Sequence, residues 1–135
     1  MMKIEHVGIA VKDLKLANAC YHDLLGVAPY KEERVESESV ITSFFKVGET
    51  KIELLQATSE VSAIAKFIQK RGEGLHHIAF EVEDIRSEMD RLKNKGYHII
   101  NEQPIRGADN KWVCFCHPKD FHGVLIELCQ TIVEK

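Results

Sequence analysis

The chain opens on a continuous apolar stretch, Val7-Gly8-Ile9-Ala10-Val11, that begins at His6 and ends near Asp13. The same arrangement returns 71 residues later. His6-Val7-Gly8-Ile9-Ala10-Val11-Lys12-Asp13-Leu14 matches His77-Ile78-Ala79-Phe80-Glu81-Val82-Glu83-Asp84-Ile85 position by position, His on His and Asp on Asp. Short apolar runs rich in β-branched residues predict buried strands. An Asp after such a run is placed to cap a following helix by accepting from its first backbone N–H groups. The period then changes to a helical one: Leu14, Ala17, Tyr21 and Leu24 recur before Gly26, and Ile85, Met89 and Leu92 before Gly96, each Gly a C-terminal stop.

After each helix come further strand-like stretches, and the last one in each half places a Glu between apolar residues, in Lys51-Ile52-Glu53-Leu54-Leu55-Gln56 and Leu125-Ile126-Glu127-Leu128-Cys129-Gln130. The first half therefore predicts a strand at 2–11, a helix at 13–25 and strands near 27–34, 39–47 and 50–56. The second predicts a strand at 75–82, a helix at 84–95 and strands near 97–102, 111–117 and 123–130. Between them Ser59 is placed to cap a connecting helix over 59–71, with Val61, Ile64, Ala65 and Ile68 on one face and Gly72 at its end. Pro104 to Asn110 reads as a loop bordering the site. The pattern predicts an α+β fold of two repeated βαβββ modules, residues 1–57 and 74–131 of a single domain spanning 1–135, whose half-sheets form a curved mixed sheet around a metal-binding cleft.

Composition narrows the function. With 135 residues, 44% hydrophobic and 29% charged, the chain can bury a substantial core. A net charge of -3 with scattered cations offers no basic stripe for a phosphate backbone, which argues against nucleic acid as a partner. The N-terminal apolar run is too short and too soon charged for a signal peptide or a membrane span, so no membrane partner and a cytoplasmic location are expected. Cys20, Cys114, Cys116 and Cys129 lack CxxC spacing and read as inert core thiols.

The repeat singles out four residues, His6, Glu53, His77 and Glu127, on the first and last strands of both halves. A lone His at a strand start is ordinarily a hydrogen-bonded core residue. A carboxylate between apolar neighbours is costly to bury unless it is paired or metal-bound, and its recurrence beside a recurring His favours a metal set. Two imidazoles and two carboxylates suit a divalent ion: Co²⁺ first, with Mn²⁺, Ni²⁺, Mg²⁺ and Zn²⁺ also compatible. His76 points to the other sheet face by strand alternation, and His22, His98, His117 and His122, lacking repeat partners, read as surface or structural residues.

These residues resemble the vicinal oxygen chelate superfamily, which includes glyoxalases and extradiol dioxygenases. Within it, Lys66-Phe67-Ile68-Gln69-Lys70-Arg71-Gly72-Glu73-Gly74-Leu75-His76-His77-Ile78-Ala79-Phe80 and the ending Gly107, Ala108, Phe115-Cys116-His117-Pro118-Lys119 and Gly123-Val124-Leu125-Ile126-Glu127-Leu128 resemble the methylmalonyl-CoA epimerase branch. The resemblance covers residues 3 to 130 and implies paired βαβββ modules, metal ligands at His6, Glu53, His77 and Glu127, an acyl-CoA substrate and a homodimer. It also implies that Glu127 is both a ligand and an acid/base group. Some members place a second catalytic Glu near 39–45, where this chain reads Val40-Ile41-Thr42-Ser43-Phe44-Phe45. That leaves Glu53, Glu38 or a metal-bound water for the second acid/base role, with Glu36 also nearby. Arg106, Lys111 and Lys119 are the cations available to CoA phosphates. A glyoxalase-type lyase, or a non-catalytic ligand-binding protein of the same fold, is the alternative.

Overall fold

Asp13 and Asp84, which end the repeated apolar runs, are both helix caps. In the computed structural model, which describes residues 2–133, the side chain of Asp13 accepts from Leu16 N and that of Asp84 from Ser87 N, each at 3.1 Å. The strands and helices are β1 (Lys3–Ala10), α1 (Leu14–Leu25), β2 (Lys31–Val35), β3 (Val40–Val47), β4 (Thr50–Ala57), α2 (Ala63–Arg71), β5 (Gly74–Glu81), α3 (Ile85–Asn94), β6 (Ile105–Gly107), β7 (Lys111–Cys116) and β8 (Leu125–Thr131). None of the described helices is long and apolar enough to cross a membrane.

The chain divides into two compact units, His6–His76 and a second formed by Met1–Glu5 with His77–Lys135. In the first, the strands are ordered β2-β3-β4-β1, with β1 parallel to β4 and the other pairs antiparallel. In the second, the order is β5-β8-β7-β6, with β5 parallel to β8 and the rest again antiparallel. The expected repeat of one βαβββ unit is thus present in both pairing and polarity.

Each helix covers one face of its own half-sheet. In the first unit Val11, Leu14, Phe45 and Leu54 are buried, with Ala17, Tyr21, Leu25, Ile41 and Ile52 packed against them. Leu24, expected on this stripe, is 72% exposed, because spacings of three and four from Leu14 through Ala17 and Tyr21 lead to Leu25. In the second unit Val82, Ile85, Met89, Leu92, Cys114, Cys116 and Leu128 form the equivalent cluster. Burial pushes the thiols of Cys114 and Cys116 up to about 12 and about 11, so both stay protonated and unreactive. Cys20 departs from the expectation and is exposed on α1.

Four boundaries differ from the sequence pattern. The connecting helix is capped by Ser62, whose Oγ accepts from Ile64 N at 3.0 Å, while Ser59 opens the preceding turn by accepting from Ser62 N. Strand β2 starts at Lys31 rather than near 27, after Pro29, which has no N–H for a ladder. Residues 97–102 form no strand and make one isolated bridge, Ile99 to Cys116, since His98 N donates to Asp120 Oδ2 and Tyr97 stacks on Phe121. The fourth strand of that half is instead β6, inside the segment expected to be loop. It pairs with β7 across a turn in which Asp109 and Asn110 both take φ near 60°, a left-handed conformation that Asp and Asn tolerate best after Gly.

Candidate active site

Parallel pairing of β1 with β4 sets His6 opposite Lys51 and Gly8 opposite Glu53. In the other unit, pairing of β5 with β8 sets His77 opposite Leu125 and Ala79 opposite Glu127. In each case the Glu faces a residue with almost no side chain, two positions beyond the His on the same strand face, so its carboxylate has room to lean back over the ring. The contacts follow. His6 Nδ1 lies 2.9 Å from Glu53 Oε2, and His77 Nε2 lies 3.3 Å from Glu127 Oε1. All four residues are buried, between 4% and 6% exposed.

A second repeat-related residue flanks each Glu and was not singled out from the sequence. Phe44 is directly across the β3–β4 ladder from Glu53, and Phe115 is directly across the β7–β8 ladder from Glu127. The Phe115 ring meets that of His77 edge-on at 6.2 Å. Phe44, fully buried, carries Tyr30 stacked at 5.9 Å. An aromatic wall beside each carboxylate keeps water from one side and strengthens every electrostatic interaction there. Aligning the halves through their last strands, as His was aligned with His, would have found both.

The remaining histidines take the roles expected of them. His76 packs edge-on against Phe67 of α2 at 4.9 Å, and burial lowers its pKa to about 4, leaving it neutral. His98 Nδ1 pairs with Asp120 Oδ2 at 2.9 Å, His117 Nδ1 accepts from Lys119 N, and His22 and His122 are exposed. Of the carboxylates near 39–45, Glu36 lies 80% exposed beside Arg34 and Glu38 is half-buried, both in a single 3₁₀ turn ahead of β3.

Lys111, considered for a CoA phosphate, is instead buried. Its Nζ donates to Thr131 Oγ1 at 2.7 Å and Glu81 Oε2 at 3.1 Å, with Glu5 Oε2 at 4.0 Å. Burial alone raises the pKa of Glu81, but hydrogen bonds from Thr131 and Lys111 outweigh it and the net shift is downward. A carboxylate held below its unfolded value stabilises the fold above the usual glutamate range and loses that contribution as pH falls through the folded pKa. Lys111→Ala removes the cation from among these carboxylates and is expected to destabilise by about 3 kcal/mol at neutral pH. Urea melts at pH 7 and pH 4 check both points: the loss should be smaller at the lower pH, and a variant as stable as the parent at pH 7 refutes the assignment.

Residues 5–115 match the family model of the glyoxalase/bleomycin resistance protein/dioxygenase superfamily. The chain belongs to this superfamily. Its curated relatives in the superfamily include the ethylmalonyl-CoA/methylmalonyl-CoA epimerase of Cereibacter sphaeroides, 43% identical over 96% of this chain and 98% of that protein. Among solved structures, methylmalonyl-CoA epimerase from Mycobacterium tuberculosis is similar with a TM-score of 0.92 and 38% identity, covering 96% of this chain and 88% of that one. A variant of the Streptomyces coelicolor methylmalonyl-CoA epimerase, in complex with 2-nitronate-propionyl-CoA, is similar with a TM-score of 0.93 and 34% identity over 97% and 98% of the two chains. The α+β superfamily fold of two βαβββ modules is therefore established on both sequence and structure.

Proposed function

We propose that this chain is an epimerase that interconverts (2R)- and (2S)-methylmalonyl-CoA by removing and returning the α-proton. The observation that carries the reading is the buried His–Glu pair set in the same register in both units, taken with the relatives' named activity.

The donors fit a divalent cation. Two imidazole nitrogens and two carboxylates, all at least 94% buried, are charges and lone pairs that need compensation inside the fold. A proton shared between a ring and a carboxylate can be exchanged for a metal ion. In this proposal His6, Glu53, His77 and Glu127 hold one such ion, with Co²⁺ preferred and Mn²⁺, Ni²⁺, Zn²⁺ or Mg²⁺ compatible. When bound, it supplies Lewis-acid stabilisation of the negative charge that develops on the thioester oxygen.

The chain's own groups handle the proton. Glu127 takes it from the carbon between thioester and carboxylate, the C–H electron pair forms a C=C bond to the thioester carbon as the carbonyl π pair moves onto the thioester oxygen, and an enolate results. Return of a proton to the opposite face inverts the centre, and Glu53 is proposed for that step. Phe44 and Phe115 exclude water beside the two carboxylates, which keeps the enolate from indiscriminate protonation. A homodimer, on the family resemblance, and a cytoplasmic location, on the sequence pattern, complete the proposed setting.

The deciding experiment is solvent-deuterium incorporation at the α-carbon of methylmalonyl-CoA, followed by NMR, with added Co²⁺ and with chelator. Metal-dependent exchange far above the enzyme-free rate is expected. Exchange at the enzyme-free rate refutes the epimerase and brings glyoxalase-type chemistry, or ligand binding without turnover, to the front.

A further inference from the structure

Helix α1 buries one apolar stripe against its own half-sheet and leaves a second one bare. Leu16 and Leu24 are 69% and 72% exposed, and Cys20, midway between them, is exposed as well. At 3.6 residues per turn the three positions share an arc of about 80°, bordered on the core side by half-buried Ala17. Isolated surface leucines are ordinary, but a contiguous apolar strip marks a contact surface.

The internal repeat supplies a control. With the offset of 71 that places His6 on His77, Leu16, Cys20 and Leu24 fall on Ser87, Arg91 and Lys95 of the second unit, all exposed. Ala17 falls on Glu88, whose carboxylate accepts from Arg91 Nε at 2.8 Å. The two helices are capped alike by Asp13 and Asp84 and bury the equivalent residues Leu14 and Ile85. The shared frame therefore does not require apolar side chains on this face. Helix α3 meets water there with polar and charged groups, and α1 with leucines.

The symmetry of the strip identifies what covers it. Leu16 and Leu24 each lie four residues from Cys20. A second α1, turned end for end about a twofold axis at Cys20, sets Leu24 on Leu16 and Leu16 on Leu24, the self-complementary pattern of an isologous contact. Charge agrees with that direction. Lys15 and Asp23, both exposed, lie five residues before and three residues after Cys20. Antiparallel packing brings Lys15 of one copy within about 3 Å, measured along the helix, of Asp23 of the other, whereas parallel packing sets like charge on like. The residue at the axis is small, so the helices can approach to about 8 Å. We propose that the chain forms a twofold dimer through this face of α1, with Cys20 at the axis. The proposal rests on the homodimer reading and not on the epimerase chemistry.

Sedimentation of the parent at micromolar concentration is expected to show a dimer. Leu16→Ser combined with Leu24→Lys copies the residues that α3 carries, so this double variant is expected to fold, as a thermal melt will show, and to raise the dimer Kd by about 10³-fold through the loss of several buried leucines. Diamide should link two parent chains through Cys20, taking up the two thiol hydrogens as the S–S bond forms. At the stated helix separation, facing Cα atoms come within disulfide reach, and the other three cysteines are buried. Cys20→Ser should abolish the linked species, and this result decides the question if the double variant does not fold. A monomeric parent overturns the proposal and the homodimer reading together. A dimer that persists in the folded double variant, or that diamide does not link through Cys20, overturns the α1 surface alone. Deuterium incorporation by the parent reports on the epimerase reading separately, so the failure of either leaves the other standing.

Discussion

Glu127→Gln is expected to cut metal-dependent deuterium incorporation into methylmalonyl-CoA by about 10³-fold, within the range that general acid/base groups contribute. The amide keeps the size of the carboxylate and an oxygen within reach of His77 Nε2, now 3.3 Å from Glu127 Oε1, so fold and metal affinity should change far less than rate. Loss of exchange with retained metal binding identifies Glu127 as the proton acceptor rather than only a ligand. Exchange within tenfold of the parent removes it from that role. Glu53→Gln separates the second position: an exchange rate that survives while inversion is lost assigns Glu53 to the opposite face, whereas full epimerase activity passes the role to Glu38 or a metal-bound water.

Much of this was legible because the chain states its architecture twice. Matching His6 with His77 and Glu53 with Glu127 needed no structure, and the two helix caps at Asp13 and Asp84 followed from their position after each apolar run. What the pattern missed was decided by contacts distant in sequence. Ile99 and Ile100 are β-branched, as strands favour, but the preceding His98 is claimed by Asp120, 22 residues on, and strand pairing moves to Ile105–Gly107. Lys111 looked like any exposed cation until the hairpin of β6 and β7 turned it in toward Glu81, Thr131 and Glu5. Phe44 and Phe115 were hidden among apolar residues, where only the ladder shows that each stands opposite a buried Glu.

Removal of metal provides a test of the ligand set that does not depend on turnover. A cation that binds only the folded chain at a hundred times its Kd adds about 2.7 kcal/mol of stability. For a chain of this size that corresponds to a rise in Tm of roughly 10 °C, reversed by chelator. On the four-ligand proposal His6→Ala and His77→Ala should each abolish the rise. If His6→Ala keeps the full shift and His77→Ala loses it, the second unit binds metal by its own residues and the four-ligand proposal fails. If neither variant matters, the cation binds elsewhere, and the buried His–Glu pairs are proton-sharing elements of the fold. The same titration ranks the ions: a larger shift with Co²⁺ than with Mg²⁺ at equal concentration follows from imidazole in the donor set, whereas a site of carboxylates alone reduces that preference.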